Sequence, residues 1–160
     1  MLSFVQRPLW WLARRIYKVE RIGPIEFIDM RADRDRDHVQ LVATIEEALS
    51  SIKAAKGGFG ELVTDHLRFI AAMDVKRGEI QATVRGYVHP FIGPGRTNGQ
   101  VLACRLVWAA TCIRLERNAA AHEKPFNEQA IVQACNEAQR RFVEQFPNAE
   151  EWIEYLESPP

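Results

Sequence analysis

Apolar residues recur at helical spacing along much of the chain, and this periodicity predicts its main helices. One apolar face runs through Leu41, Ile45 and Ile52, in a helix that Gly57-Gly58 should end. Residues 101–117 are apolar on nearly every face, which is typical of a helix that runs through the middle of a fold. The pattern predicts helices over residues 8–19, 37–55, 61–67, 101–117, 126–146 and 149–157.

Short stretches rich in β-branched and aromatic residues predict a few strands between these helices. Gly23-Pro24 should end the N-terminal helix, and Thr97 or Asn98 can cap the 101–117 helix. Residues 31–37 alternate in charge and supply no apolar face for a core. We therefore expect them to be a solvated entry segment that leads into the next helix. The predicted strands cover residues 25–30, 69–72 and 80–89.

Together these elements predict an α+β fold that is mostly helical, with a small sheet and a buried central helix. We expect one domain over residues 22–160, preceded by an amphipathic N-terminal segment over residues 1–21.

The 160-residue chain carries 21 basic and 21 acidic residues, so its formal net charge is zero. General nucleic-acid binding usually needs a strong basic excess, so the balance argues against a nucleic-acid partner. No run reaches the roughly 20 apolar residues that span a bilayer. The apolar stretch over residues 9–13 is too short for a signal peptide, so we expect a cytoplasmic protein.

The three cysteines, Cys104, Cys112 and Cys135, are an odd number without a close CxxC pair. This usage favours a reducing compartment and argues against a disulfide framework. Whether the three thiols and His122 come together in space is left open by the sequence.

The centre of the 101–117 helix, Leu106-Val107-Trp108-Ala109-Ala110-Thr111-Cys112, suggests a family. It resembles the active-site helix of small bacterial zinc-peptidase-like (zincin-like) proteins, which reads Leu-Val-His-Glu-Ala-Thr-His. The resemblance covers roughly residues 43–146 and implies a zincin-like fold. It places Trp108, Ala109 and Cys112 where the first His, the Glu and the second His would stand, and Val132 where a further ligand is expected.

These replacements decide what the resemblance implies about chemistry. In the family motif, two His one helical turn apart bind one Zn²⁺, and the Glu takes a proton from metal-bound water. Trp108 cannot coordinate a metal, Ala109 cannot accept a proton, and Cys112 alone is not a site. The resemblance therefore implies a pseudoenzyme with no catalytic residue, no metal and no cofactor, which acts by binding a partner that the sequence does not identify.

Two alternatives to the degenerate motif stay open. The helix can be ordinary core packing without this ancestry, with Trp108 buried against the last helix near Cys135. The protein can also be an active metal-dependent hydrolase with displaced ligands, in which Glu128, one turn before Val132, is a candidate.

The N-terminal segment is the candidate docking element. Trp10 and Trp11, with Arg14, Arg15 and Lys18 nearby, fit an interfacial helix on anionic lipid, peripheral at the inner membrane. The more ordinary interpretation, which we favour from the sequence alone, packs both indoles on the domain.

Overall fold

A computed structural model describes residues 3–33, 37–75, 78–90, 98–122 and 127–150, with side chains from Trp10 onward. Its helices are α1 (Ser3–Ile16), α2 (His38–Ala54), α3 (Phe59–His66), α4 (Gly99–Ala121) and α5 (Glu128–Val143). Its strands are β1 (Val19–Ile22), β2 (Ile25–Asp29), β3 (Phe69–Met73), β4 (Glu79–Gln81) and β5 (Gly86–Pro90). The predicted α+β, mostly helical fold with a small sheet is confirmed.

The strands form one mixed sheet in the order β1-β2-β3-β5-β4. The central strands β2, β3 and β5 run parallel, whereas β1 and β4 pair antiparallel at the two edges. Helices α2 and α3 make the long crossover that the parallel pair β2–β3 requires. The carboxyl ends of the three parallel strands therefore meet at one edge of the sheet.

Side chains pack against both faces of the sheet. The register places Phe27, Ile70 and Tyr87 on one face, where they join the main core with the helices that follow. Phe69 points to the opposite face, against which α1 packs, and the ring centroids of Trp10 and Phe69 are 4.4 Å apart. Because β3 is covered on both faces, polar residues need not alternate with apolar ones along it. This explains why nearly all residues of β3 are buried.

Helix α4 is the buried central helix that the sequence predicted. It packs against α2, α3 and α5, and its Leu102, Leu106 and Ile113 are fully buried. The side chain of Asn98 caps its first turn by accepting the backbone N–H groups of Gln100 and Val101. The cap sets the start of the helix at Gly99, slightly before the predicted residue 101.

The N-terminal helix ends earlier than predicted, because the chain turns into β1 at Val19. Val19 pairs with Ile28 and Ile22 pairs with Ile25, across a turn in which Gly23 takes a positive φ of 57°. The helical prediction for Val19 was wrong because pairing in the sheet buries Ile22, a gain that local helical spacing does not reveal.

The predicted strand over residues 80–89 is two strands. A 3-10 turn over Ala82–Val84 follows β4, and Arg85 takes a left-handed conformation with a φ of 61° before β5 begins. This reversal lets β4 and β5 pair with each other. Most of the predicted helix over residues 149–157 lies outside the described residues.

Candidate functional site

The inner face of α1 attaches this helix to the sheet. Trp10 is half-buried against Phe69, and Ala13 is buried. Arg14 Nη2 lies 2.6 Å from Glu26 Oε1 on β2. These contacts fix which side of the helix faces solvent.

The outer face of α1, which we define as Trp11, Leu12, Arg15 and Ile16, lies in solvent. Trp11 is 57% exposed, Leu12 46% and Ile16 61%. The Arg15 guanidinium stacks 4.0 Å above the Trp11 ring centroid, a cation–π contact between exposed groups. Adjacent helical residues point about 100° apart, so Trp10 and Trp11 cannot share one environment, and the expectation that both indoles pack on the domain was wrong for Trp11.

The charge around the outer face is predominantly basic. From Trp10 to Glu26 the chain holds Arg14, Arg15, Lys18 and Arg21 against the acids Glu20 and Glu26. Lys18 Nζ pairs with Glu20 Oε1 at 2.7 Å, yet its side chain is 82% exposed. Exposed ion pairs of this kind contribute little energy and exchange readily, so the cations remain accessible to another anion.

The residues that the resemblance would place at a zinc motif lie along α4 and the facing α5. Trp108 contacts α5 next to Cys135, as predicted, and its Nε1 donates to Asn136 Oδ1 at 2.9 Å. Trp108 is half-buried rather than buried, because the indole N–H reaches this partner at the edge of the helix pair. Ala109 is fully buried, and Val132 is exposed on α5.

Cys112 also has polar neighbours. Its Sγ lies 3.2 Å from Glu116 Oε1, and its thiol is close enough to that of Cys135 to shift the pKa of both groups. The structure thus brings two of the three cysteines together. Cys104 lies two turns away along α4, where burial raises the pKa of its thiol to about 12, and His122 bonds to Asn118 at the end of the helix.

These groups do not assemble a metal centre. Within the described ranges, no three His, Cys, Asp or Glu side chains are placed to hold one metal ion. All three cysteines carry free thiols, which agrees with the expectation of no disulfide framework. Glu128, the alternative ligand, is exposed at the start of α5.

A buried polar network at the carboxyl end of β2 was missed by the sequence reasoning. Arg31 Nε and Nη2 donate to the two oxygens of Asp29 at 2.9 and 2.8 Å. His38 Nδ1 lies 3.0 Å from Asp29 Oδ2, and its Nε2 lies 3.2 Å from Glu20 Oε1. The solvated entry expected over residues 31–37 is wrong for Arg31, which is only 4% exposed because Asp29 neutralises it.

Electrostatics favour the ionised form of both carboxylates in this network. Burial opposes ionisation of Asp29, but hydrogen bonds from Arg31 and His38 outweigh it and lower the pKa of Asp29. A hydrogen bond from Lys18 is the largest cause that lowers the pKa of Glu20. With a carboxylate at each ring nitrogen, His38 links β1, β2 and α2 rather than offering a nitrogen to a metal. The one indication of this network in the sequence was Asp29, a charged residue at the end of a largely apolar strand.

An open groove of about 890 Å³ lies between the β1–β2 turn and helices α2 and α3. Its lining is apolar at Leu49 and Ile52, whereas Glu46, Glu61 and Asp65 supply acidic groups. None of the site residues predicted from the sequence lines it.

No described helix is long and apolar enough to cross a membrane. Comparison of the chain with protein-family models, with curated proteins and with solved structures finds no match.

Proposed function

We propose that this protein is a noncatalytic, zincin-like protein that acts by binding, and that it docks on anionic lipid through the outer face of α1. The observation that carries the proposal is the exposure of Trp11, Leu12 and Ile16 on one side of a helix whose other side is fixed to the sheet. In this proposal the protein is a cytoplasmic bacterial protein, peripheral at the inner membrane, because the cytoplasmic leaflet presents anionic headgroups.

The geometry of α1 suits a lipid surface. Its apolar side chains lie within one arc of the helix, and Arg15 sits in the same arc. Lys18, two residues beyond the end of α1, adds a second exposed cation, so cations would meet headgroups while the apolar side chains reach the acyl boundary. Because Trp10 and Ala13 hold the opposite side, docking requires no unfolding of the domain.

The expected affinity is modest. Fully burying a large apolar side chain contributes about 1.5–3 kcal/mol. Trp11, Leu12 and Ile16 are each about half covered already, so insertion would add roughly 1 kcal/mol per side chain. Each cation near an anionic surface adds about 1 kcal/mol. The total of a few kcal/mol corresponds to reversible binding that salt weakens.

The noncatalytic, zincin-like part of the proposal rests on α4. The motif positions hold an indole bonded to Asn136, a fully buried methyl group at Ala109 and a thiol paired with another thiol. Together these groups do not supply what the family motif supplies, namely two His that bind the zinc and a Glu that accepts a proton from zinc-bound water.

Cosedimentation with vesicles tests the docking surface. The intact chain should bind vesicles of phosphatidylcholine and phosphatidylserine at low salt, and it should bind pure phosphatidylcholine and high-salt samples much less. Replacing Trp11, Leu12 and Ile16 together by Ser should weaken binding roughly a hundredfold, the equivalent of about 3 kcal/mol. The matched control replaces Val39 and Val132 by Ser, since both are exposed apolar residues on other helices, and it should bind like the intact chain.

Two outcomes would reject the lipid proposal. In one, the outer-face variant binds vesicles as well as the control variant does. In the other, vesicles bind nothing, and analytical ultracentrifugation shows self-association that the outer-face variant loses. The second result would assign the face to another copy of this chain, whose groove carries Glu46, Glu61 and Asp65 beside apolar residues.

A further inference from the structure

We propose that Cys112 and Cys135 are a peroxide-oxidisable dithiol site, which closes into a disulfide that joins α4 to α5. The inference does not depend on lipid binding. It starts from a thiol pair that the packing of two helices holds in place, with a carboxylate beside it.

The contacts along α4 and α5 fix the position of the pair. Gln139 Nε2 donates to the Cys104 carbonyl at 3.2 Å, and Trp108 Nε1 donates to Asn136 Oδ1 at 2.9 Å. The helices therefore run antiparallel. Cys112, one turn after Trp108, and Cys135, next to Asn136, lie on the facing sides of this pair, where the two thiols interact with each other. Both hydrogen bonds join the two helices that carry the thiols, so they help to hold this helix pair together.

The two thiols differ in access and acidity. Cys112 is 6% exposed and hydrogen-bonds to Glu116, whereas Cys135 is fully buried behind it. The contact with Cys112 lowers the pKa of Cys135, and the same contact, together with burial, raises the pKa of Cys112. A small oxidant therefore meets Cys112 first. Because Cys112 is a neutral thiol, it can attack only as its proton passes to the adjacent Glu116, whereas Cys135 is the better thiolate for the second step.

The chemistry needs a hydroperoxide as oxidant. The Cys112 sulfur attacks the terminal oxygen of ROOH as its proton passes to Glu116, the O–O bond breaks, and ROH leaves after taking up that proton. The Cys135 sulfur then attacks the sulfenic sulfur of Cys112, the S–S bond forms, and the S–O bond breaks with loss of water. Two thiols and one hydroperoxide yield one disulfide, one alcohol and one water, and the two electrons from sulfur reduce the peroxide.

Cys104 supplies an internal reference. It is buried in the same helix, its pKa is raised to about 12, and it lies two turns from the pair. A buried thiol that lacks a thiol partner should stay reduced while the pair reacts. Comparing the extent of oxidation of Cys104 and Cys112 in one sample therefore distinguishes selective oxidation of the Cys112–Cys135 pair from general oxidation of thiols.

The experiment treats the native full-length chain with hydrogen peroxide, alkylates the remaining thiols and maps the peptides by mass spectrometry. We expect an intramolecular Cys112–Cys135 disulfide as the main product, with Cys104 alkylated and dithiothreitol reversing the change. The disulfide should raise the melting temperature by roughly 5 °C or more. Cys104→Ala should leave the product unchanged, whereas Cys112→Ala and Cys135→Ala should each abolish it.

The same treatment in urea is the folded-state control, because unfolding should remove the selectivity for the pair. The proposal fails if the native chain oxidises Cys104 as fast as Cys112. It also fails if the products are sulfinic acids or disulfide-linked dimers instead of the internal bridge. Since these readouts are made on the unmodified chain, they do not require any variant to fold.

Discussion

Asp29→Asn removes one charge from the buried network and leaves the shape of the side chain nearly unchanged. Asp29 and Arg31 are 5% and 4% exposed, and their side chains share two hydrogen bonds of 2.9 and 2.8 Å. An amide cannot neutralise the guanidinium, so Arg31 would remain buried with a weakened partner. Removing one member of a buried pair costs about 3–5 kcal/mol, and we expect a loss of that size in the free energy of unfolding.

Urea unfolding followed by circular dichroism at neutral pH measures the loss. Glu20→Gln is the matched control because Glu20 is in the same network but its side chain is 24% exposed. That change should cost about 0.5–1 kcal/mol, as exposed ion pairs do. The double variant Asp29→Asn with Arg31→Met removes both charges, so it should lose less stability than the two single changes added together.

The pH dependence gives an independent readout. Burial raises the pKa of Asp29, but the hydrogen bonds from Arg31 and His38 lower it by more, and the net shift is downward. The stabilisation is therefore present above the unfolded pKa of about 3.9, and it is lost as the pH falls through the folded pKa. The native chain should lose stability more steeply than Asp29→Asn in this acid range. A loss below about 1 kcal/mol at neutral pH, or parallel acid profiles, would refute this account of the network.

Two further predictions concern packing and metal content. A Cβ at Gly86 would lie 2.1 Å from Phe69 Cζ, so Gly86→Ala should cost about 1–3 kcal/mol in urea unfolding. In Gly60→Ala the nearest atom would lie 3.7 Å away, and that change should not destabilise the chain; equal losses would contradict the steric argument. Elemental analysis of the purified chain should find no stoichiometric zinc, and one zinc per chain that Cys112→Ala removes would overturn the noncatalytic proposal.

The central helix could be predicted from sequence because its signal is local. The consecutive apolar residues Leu102, Ala103 and Cys104 point in three directions around the helix, and all are buried. Asn98 supplies a cap without reference to the rest of the fold. The hairpin of β1 with β2 could not be predicted in this way. Val19 fits helical spacing, and only its partner Ile28 on the neighbouring strand makes it a strand residue.

The candidate site was only partly accessible to sequence reasoning, for a related reason. Trp10 and Trp11 are identical in type and adjacent, and the contact with Phe69 decides which indole is covered. Arg31 stands in a run of alternating charges that looks solvated, yet Asp29 makes its burial favourable. In both cases the deciding group lies on another element or at its end, so the pattern of one segment cannot identify it.

The two faces of α1 determine how its role can be tested. Deleting the helix would remove the outer face, but it would also expose the sheet surface around Phe69 that Trp10 covers. Newly exposed apolar surface of that kind binds membranes and other proteins without specificity. A truncated chain could therefore bind vesicles more strongly than the intact chain even if lipid docking is the native function. Substitutions confined to Trp11, Leu12 and Ile16 avoid this confusion, because these side chains lie in solvent and their removal leaves the inner contacts in place.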